Sequence, residues 1–405
     1  MANPIYAALP TTIFAIMSGL AREHEAINLG QGFPDTPGPL AIRQKAAEET
    51  IHGDNQYPPM PGLPVLRQAV AAHYARAQGL DFDWAREITV TSGATEALAC
   101  CFLGLIEAGD EVIVFQPVYD SYAPMIRRAG GVPVMARLEP PAWRWDRAML
   151  EALVTPRTRL VVLNNPLNPT GVVYGDADLA LLAEVCVRHD LIAICDEVWE
   201  HVVFGEAVHR PLIAYPGMRE RTVKIGSAGK MFALTGWKIG FLCAAPALTE
   251  ILAKAHQFLT FTTAPNLQAA VAWGLENSAD WFAQMPLDLA RSQARLADGL
   301  RREGFAVLSS AGTYFLTVDL PGSGVREGDL DFSYRSVREA GVAAIPVSAF
   351  YEANPVTSIV RLCFSKRDEV LDEGVRRLAK ARDLSIRAHN AGEAVAKAGS
   401  VRWPE

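Results

Sequence analysis

The sequence predicts an α/β protein: a mostly parallel central sheet with helices on both faces, followed by a smaller α+β unit. Three observations carry this expectation. Short apolar, β-branched runs alternate with helical segments through the middle of the chain. The residues just past those runs are an unusual polar set. A long helical stretch then leads into a second group of strands.

The strand candidates are Glu87–Thr91, Glu111–Phe115, Val132–Ala136, Arg159–Leu163, Leu191–Cys195 and Thr222–Ile225. Most are four or five apolar residues, as expected of strands covered on both faces. Helix-like stretches separate them. Glu96–Glu107 places Leu98, Cys101, Phe102 and Leu105 on one face and stops before Gly109. Ile239–Ala244 follows the Thr222 run too closely for a helical crossover, so it is expected to run antiparallel. A helical pattern spans about Asn266–Arg302. Strands near Tyr314–Val318, Val342–Ile345 and Val360–Phe364 follow, then a helix near Asp368–Arg382. Ile386–Glu405 is polar and Ala-rich and reads as a frayed extension. The expected division is an N-terminal arm with part of the small domain over 1–44, a large domain over 45–285, and a C-terminal small domain with its polar tail over 286–405.

The 405 residues carry 38 Lys+Arg against 45 Asp+Glu, a net charge of −7, and half are hydrophobic. That composition excludes a disordered or collagen-like chain and argues against a broad nucleic-acid-binding basic field. Six cysteines form no C-x-x-C pair, which favours reduced buried thiols and a cytoplasmic location. No apolar run approaches the roughly 20 residues of a membrane helix. The first 21 residues lack charged side chains, but no basic segment opens them and Pro4 and Pro10 interrupt them. They read as an arm and a short amphipathic helix around Ile13–Leu20.

In open parallel sheets ligands bind beyond the carboxyl ends of the strands. Five such ends here read Ser92-Gly93-Ala94-Thr95, Gln116-Pro117-Val118-Tyr119, Asn164 to Gly171, Asp196-Glu197-Val198-Trp199 and Gly226-Ser227-Ala228-Gly229-Lys230. Turn chemistry alone explains Asn, Gly and Pro. It does not demand an Asp, a Lys and two small-residue, anion-suited loops on one rim. Taken singly, Ser-Gly-Ala-Thr is an ordinary helix cap, Asp196 a cap or ion pair, Lys230 a surface lysine and Tyr119 a packed aromatic. Together they suit pyridoxal phosphate. Its phosphate needs N–H donors, hydroxyls and a cation. Its ring nitrogen stays protonated beside a carboxylate, and its aldehyde needs a lysine.

The strings INLGQGFPD, NQYPPMPGLPVLRQAV, TSGATEAL, NNPLNPTG, CDEVWEHVVF, GSAGKMFALTGWKIGF, GTYFL, IPVSAFY and VRLCFSKRDEVL run through nearly the whole chain. In that order they resemble the class I/II aminotransferases of pyridoxal-phosphate fold type I, the aspartate aminotransferase superfamily. Within it they are most similar to the kynurenine/glutamine/methionine aminotransferase branch. The resemblance implies that Lys230 forms the imine with the cofactor and moves the substrate Cα proton. It implies that Asp196 partners the ring nitrogen and that Asn168 donates to the phenolic oxygen. Tyr119 would cover the ring. Ala94, Thr95, Ser227 and Lys238 would form the phosphate cup. Tyr57 would reach the phosphate of a neighbouring subunit, so a homodimer is implied. Arg361 would clamp the substrate α-carboxylate beside the Gly32 backbone, with Asn168 close by. Trp199 stands where the family usually has tyrosine. Indole N–H donates but cannot accept or ionise, so the imine is expected to titrate differently from tyrosine-bearing relatives.

The expected reaction is ping-pong transamination between a neutral or aromatic L-amino acid (glutamine, methionine, kynurenine-like) and a 2-oxo acid, with no metal, nucleic acid or membrane partner. Arg22 and Arg210 have no assigned place. Phe33, Tyr119, Trp199, Phe261 and Phe350 are candidates for an apolar substrate pocket. A β-lyase acting on cysteine conjugates or cystathionine and a cofactor-binding regulator are the alternatives. No S-D-N or K-T-G accompanies Ser227-x-x-Lys230, and Asp35 breaks any dinucleotide fingerprint at Gly30-Gln31-Gly32.

Overall fold

The computed structural model describes residues 3–391. Seven strands form the larger sheet in the order Ile88–Ser92, Ile239–Cys243, Thr222–Ser227, Ile192–Asp196, Thr158–Asn164, Glu111–Gln116 and Val132–Arg137. Only Ile239–Cys243 runs antiparallel to its neighbours, as its short connection required. The strands expected of this sheet are all present, with ends that agree to within two residues.

Period-two side-chain alternation decides the core. In Thr158–Asn164, Leu160 and Val162 join one apolar cluster, while Val161 and Leu163 join another. The first cluster takes in Ala97, Leu98, Cys101 and Phe102 of the helix Gly93–Leu105. The second takes in Leu179, Leu182 and Cys186 of the helix Asp176–Arg188. Both faces are therefore covered, which is why these strands read as continuous apolar runs. All six cysteines are buried and unpaired.

The smaller sheet is antiparallel, in the order Ile345–Pro346, Ile359–Cys363, Phe315–Asp319 and Ala306–Val307. A parallel pair, Ile27–Asn28 with Val342–Ala343, ties the N-terminal segment to it. The expected Val342–Ile345 strand is split between these two sheets. The N-terminal helix runs Ile13–Glu23 and buries Met17 and Ala21 against Val337, Ile345 and Phe350.

Three expectations need correction. The Asn266–Arg302 pattern is two helices, Pro265–Asn277 and Ala279–Arg302, with Ser278 ending one and opening the next. The final helix extends to Ala391, so Ile386–Ala391 is helical and not frayed; Ser385 and Ala388 are buried along it. The remainder of that expected tail lies outside the described residues. Lys230 sits in a short helix, Ala228–Met231, and not in an open loop. Among the described residues no helix is long and apolar enough to cross a membrane.

Candidate active site

The parallel strands all end at one rim, and the antiparallel strand begins there. Ser92 pairs with Ile239, Ser227 with Gly240, and Asn164 with Asp196. Lys238, one residue before the antiparallel strand, therefore reaches the same rim as the carboxyl ends of its neighbours. It adopts φ 55, a left-handed turn that starts the strand. The close fit depends on glycine. A Cβ at Gly240 would lie 2.6 Å from the Gly93 carbonyl carbon and 2.8 Å from Ala94 N.

A cavity of about 180 Å³ opens at this rim. Ala94, Thr95, Tyr119, Asn168, Asp196, Trp199, Ser227, Lys230 and Lys238 all line it, although they come from five separate chain segments. Ala94 and Thr95 lie in the first turn of Gly93–Leu105, where backbone N–H groups have no helical acceptor.

Asp196 is buried at the end of its strand. Its Oδ2 accepts a hydrogen bond from the Tyr122 hydroxyl. Its Oδ1 is buried without a partner among the described residues. Burial raises the Asp196 pKa, and the Tyr122 hydroxyl, the Val198 N–H and the charge on Lys230 oppose that rise. Asn164 fixes the next strand end, accepting 2.8 Å from Asn168 N and donating 2.9 Å to the Asp196 carbonyl.

Lys230 Nζ lies 4.6 Å above the Trp199 ring and 3.1 Å from the Tyr314 hydroxyl. Burial lowers its pKa to about 8; Asp196 pulls the other way, while Arg361 and Lys238 push it further down. Arg361, in the middle of the smaller sheet, is 1% exposed. Its Nη1 donates to Asn168 Oδ1 at 2.9 Å and its Nη2 to the Gly30 carbonyl at 2.8 Å. Its Nε is buried without a partner among the described residues. Burial lowers its pKa to about 10, so it remains a cation at neutral pH. Trp199 packs edge-on to Tyr314 and Phe315.

Not every expected residue lies in this cavity. Gly32 is placed through its carbonyl, which accepts from Tyr314 at 2.6 Å. Tyr57 is 87% exposed and packs edge-on to Phe261, along a surface groove and not at the cavity of its own chain. Phe33 is half-exposed under Lys366, so neither Phe33 nor Phe261 lines the cavity. Phe350 is buried against Arg361. Arg210 pairs with Asp176 on the exterior. Sequence reasoning passed over Tyr122 and Tyr314, and placed Asn164 on the rim without giving it a role. Tyr122 follows the singled-out Tyr119 by three residues, and Tyr314 lies within the GTYFL string.

The donor set fits pyridoxal phosphate. The orphaned Oδ1 of Asp196 suits a protonated ring nitrogen. The free N–H groups at Ala94 and Thr95, the Ser227 hydroxyl and the Lys238 ammonium suit a phosphate. The lysine beside them suits an aldehyde.

Comparison with known proteins points the same way. A family model described as aminotransferase class I and II matches residues 24–378. A probable N-succinyldiaminopimelate aminotransferase of Mycobacterium tuberculosis is 44% identical over 380 residues, covering 91% of this chain and 96% of that one. The solved structure of the mycobacterial N-succinyldiaminopimelate aminotransferase superposes with a TM-score of 0.91 at 44% identity, covering 94% of this chain and all of that chain. The methionine aminotransferase of Escherichia coli is 41% identical, covering 91% of this chain and 96% of that one. A kynurenine–oxoglutarate transaminase of Homo sapiens is 35% identical, covering 88% and 93%. The family model spans most of the chain and the relatives align almost end to end, so this protein belongs to the class I and II aminotransferases and is a pyridoxal-phosphate-dependent enzyme.

Proposed function

We propose that the enzyme moves the amino group of a neutral or aromatic L-amino acid, such as glutamine, methionine or a kynurenine-like donor, to a 2-oxo acid in a ping-pong cycle. The observation that carries this is the setting of Arg361. Its guanidinium lies among three phenylalanine rings, 3.9 Å from Phe315, 5.2 Å from Phe350 and 5.3 Å from Phe14. Among the described residues no arginine, Arg361 included, lines the cofactor cavity itself.

Bound pyridoxal phosphate supplies an aldehyde for the amino group and a ring that draws electron density from Cα. The chain's own residues do the rest. Lys230 would hold the cofactor through its amine and, once that amine is free, would accept the proton from the substrate Cα. Asp196 keeps the ring nitrogen protonated, because burying its charge without a cationic partner is costly. Asn168 holds Arg361 and would donate to the phenolic oxygen, and Arg361 would clamp the α-carboxylate beside the Gly32 segment. Ala94, Thr95, Ser227 and Lys238 hold the phosphate, Tyr119 covers the ring, and Trp199 packs beside Lys230. Tyr57, exposed on its own chain, serves the phosphate of a second subunit, which makes the working unit a homodimer. Six buried free thiols support a cytoplasmic setting.

A second substrate reading has its own support. A neighbouring cavity of about 280 Å³ shares Lys230 with the first and is lined by Arg291, Lys366 and Arg367, together with Asp288 and Asp368. Those cations would suit an acylated donor ending in carboxylates, such as the substrate named for the mycobacterial relative.

The test is a donor panel. Holoenzyme is mixed with each of twenty amino acids and with N-succinyl-L,L-diaminopimelate, and loss of the visible absorbance is followed by recovery of the 2-oxo product. Methionine, glutamine and aromatic donors are expected to bleach it. Bleaching by the succinylated donor alone selects the second reading. Pyruvate and ammonia released without an oxo-acid acceptor select β-elimination. Turnover by Lys230→Ala at the wild-type rate would remove the role given to Lys230.

A further inference from the structure

Lys230 is held from behind. Its Nζ lies 3.1 Å from the Tyr314 hydroxyl, and that hydroxyl lies 2.6 Å from the Gly32 carbonyl oxygen. A carbonyl only accepts, so the phenol's one proton is committed to Gly32. Its oxygen is left to accept from Lys230. The phenol is thus a fixed acceptor for the lysine and is not poised to donate to it.

The surroundings make this geometry rigid. The Trp199 and Tyr314 rings meet edge to face at 4.4 Å and 89°, forming a corner around Nζ. Tyr314 is 2% exposed. The residue before it, Thr313, has φ 62, a left-handed conformation that a β-branched residue rarely adopts. Thr313 is kept there by its N–H bond to the Val202 carbonyl at 2.8 Å and by its Oγ1, which accepts from Phe315 N at 3.1 Å. Backbone held this way marks a site whose neighbour's direction matters. On the other side, a Cβ at Gly32 would lie 2.6 Å from the Phe315 ring, so glycine there lets its carbonyl reach the phenol.

We propose that Tyr314 is a positioning residue for Lys230: its hydroxyl holds the amine whenever the amine is not bonded to the cofactor, turns the nitrogen lone pair into the cavity, and ties it to the Gly32 segment. This rests on the proposed role of Lys230. A lysine ends in four rotatable bonds, and an unheld amine samples directions that cannot reach Cα. The phenol removes that freedom without competing for the transferred proton.

Tyr314→Phe removes the hydroxyl and leaves the ring. Asp196, Arg361, Lys238 and the Cys363 thiol, which also act on Lys230, stay in place. The ammonium form loses an acceptor, so the amine should titrate lower. In the apoenzyme, the pH profile of pyridoxal phosphate capture is expected to shift its midpoint down by about one pH unit. In the holoenzyme, kcat should fall by about 10- to 100-fold, with the amino-acid KM changed less than about twofold. Borohydride reduction and peptide mapping accompany both measurements. An unmoved midpoint with unchanged kcat overturns the proposal. Cofactor fixed to a residue other than Lys230 overturns the role of Lys230 instead. If Tyr314→Phe proves unstable, 3-fluorotyrosine at position 314 keeps the shape and weakens the acceptor. It should move the midpoint the same way, and no movement refutes the proposal.

Discussion

Asn168 Oδ1 accepts a 2.9 Å hydrogen bond from Arg361 Nη1, joining the rim of the larger sheet to the centre of the smaller one. Arg361 also donates to the Gly30 carbonyl at 2.8 Å, so two of its nitrogens fix chain segments together. The remaining donors, including the unpartnered Nε, are left for a ligand. A planar fork can do both tasks, and a single ammonium cannot. Arg361→Lys is therefore expected to raise the amino-acid KM by about 30- to 150-fold, the loss of a charge-assisted pair worth ~2–3 kcal/mol. The bound cofactor's absorbance should stay at wild-type intensity. Steady-state kinetics with a spectrum of the loaded enzyme checks both, and an unchanged KM refutes the clamp.

Among the described residues the Tyr122 hydroxyl is the one side-chain donor on the Asp196 carboxylate. Removing it in Tyr122→Phe leaves burial less opposed, so the Asp196 pKa rises further. The sign follows directly. The carboxylate is needed ionised, so activity is lost at a higher pH on acidification than in the wild type. The acid limb of the kcat/KM profile should move up by about one pH unit. Asp196→Asn, which cannot ionise, should cut kcat by at least ~100-fold across the whole range.

Much of this was legible in the sequence because its signals are local. Apolar runs of four or five residues marked the parallel strands, since both faces of the sheet are covered. The polar residues after those runs converged because parallel strands end on one side. What stayed hidden depends on distant pairings. Tyr122 reads as one more helix residue until the fold brings it to Asp196, 74 positions away. Tyr314 meets Gly32 across 282 positions. The division of 266–302 into two helices turns on Ser278, which no Pro or Gly announces. Phe33 and Phe261 do not line the cofactor cavity of their own chain, and Phe261 packs against Tyr57 instead.

Lys230 gives a pH prediction with a definite sign. Its pKa is lowered to about 8 from the model-peptide value of 10.5, mainly by burial. Capture of pyridoxal phosphate needs the neutral amine. The capture rate of the apoenzyme should therefore rise about tenfold per pH unit and level off above about 8. The same shift costs stability. Between pH 8 and 10.5 the unfolded chain binds more protons at this lysine than the folded one does, so apoenzyme stability should climb across that window. Below it the penalty is constant. Lys230→Met should then melt higher than the wild-type apoenzyme at pH 7, by ~1–3 kcal/mol, while failing to retain cofactor after borohydride treatment. Thermal denaturation of the two apoenzymes decides it; a lower melting point for the variant would contradict the account.

A buried charge cluster adjoins the end of the Asp196 strand, where Lys224 pairs in register with Cys195. Lys224 Nζ sits 2.5 Å from Glu197 Oε2 and 2.5 Å from Glu200 Oε2, and all three side chains are 0% exposed. Tyr74 donates to Glu200 at 2.8 Å, Gln78 donates at 2.6 Å, and the Leu212 N–H donates to Glu197 at 3.2 Å. Burial alone would lower the Lys224 pKa, but the two carboxylates reverse this and hold it above the ordinary lysine value. Burial would likewise raise Glu200, and Lys224 instead brings it down to about 2. One cation thus sits between two carboxylates that bracket Val198 and Trp199, and His209 Nε2 lies 3.3 Å from Glu197 on its other side. Lys224→Met fills the space but leaves both carboxylates buried without a cation, so it is expected to cost ~3–5 kcal/mol. Adding Glu197→Gln and Glu200→Gln to Lys224→Met removes the uncompensated charge and should recover more than half of that loss. Because the folded Glu200 pKa is depressed, its contribution is complete above its unfolded value near 4.5 and fades as pH falls toward 2. Urea unfolding of the three proteins at pH 7 and pH 4 measures all of this. Equal stability for Lys224→Met and wild type at pH 7 would show that the cluster is not what holds the Asp196 strand end in place.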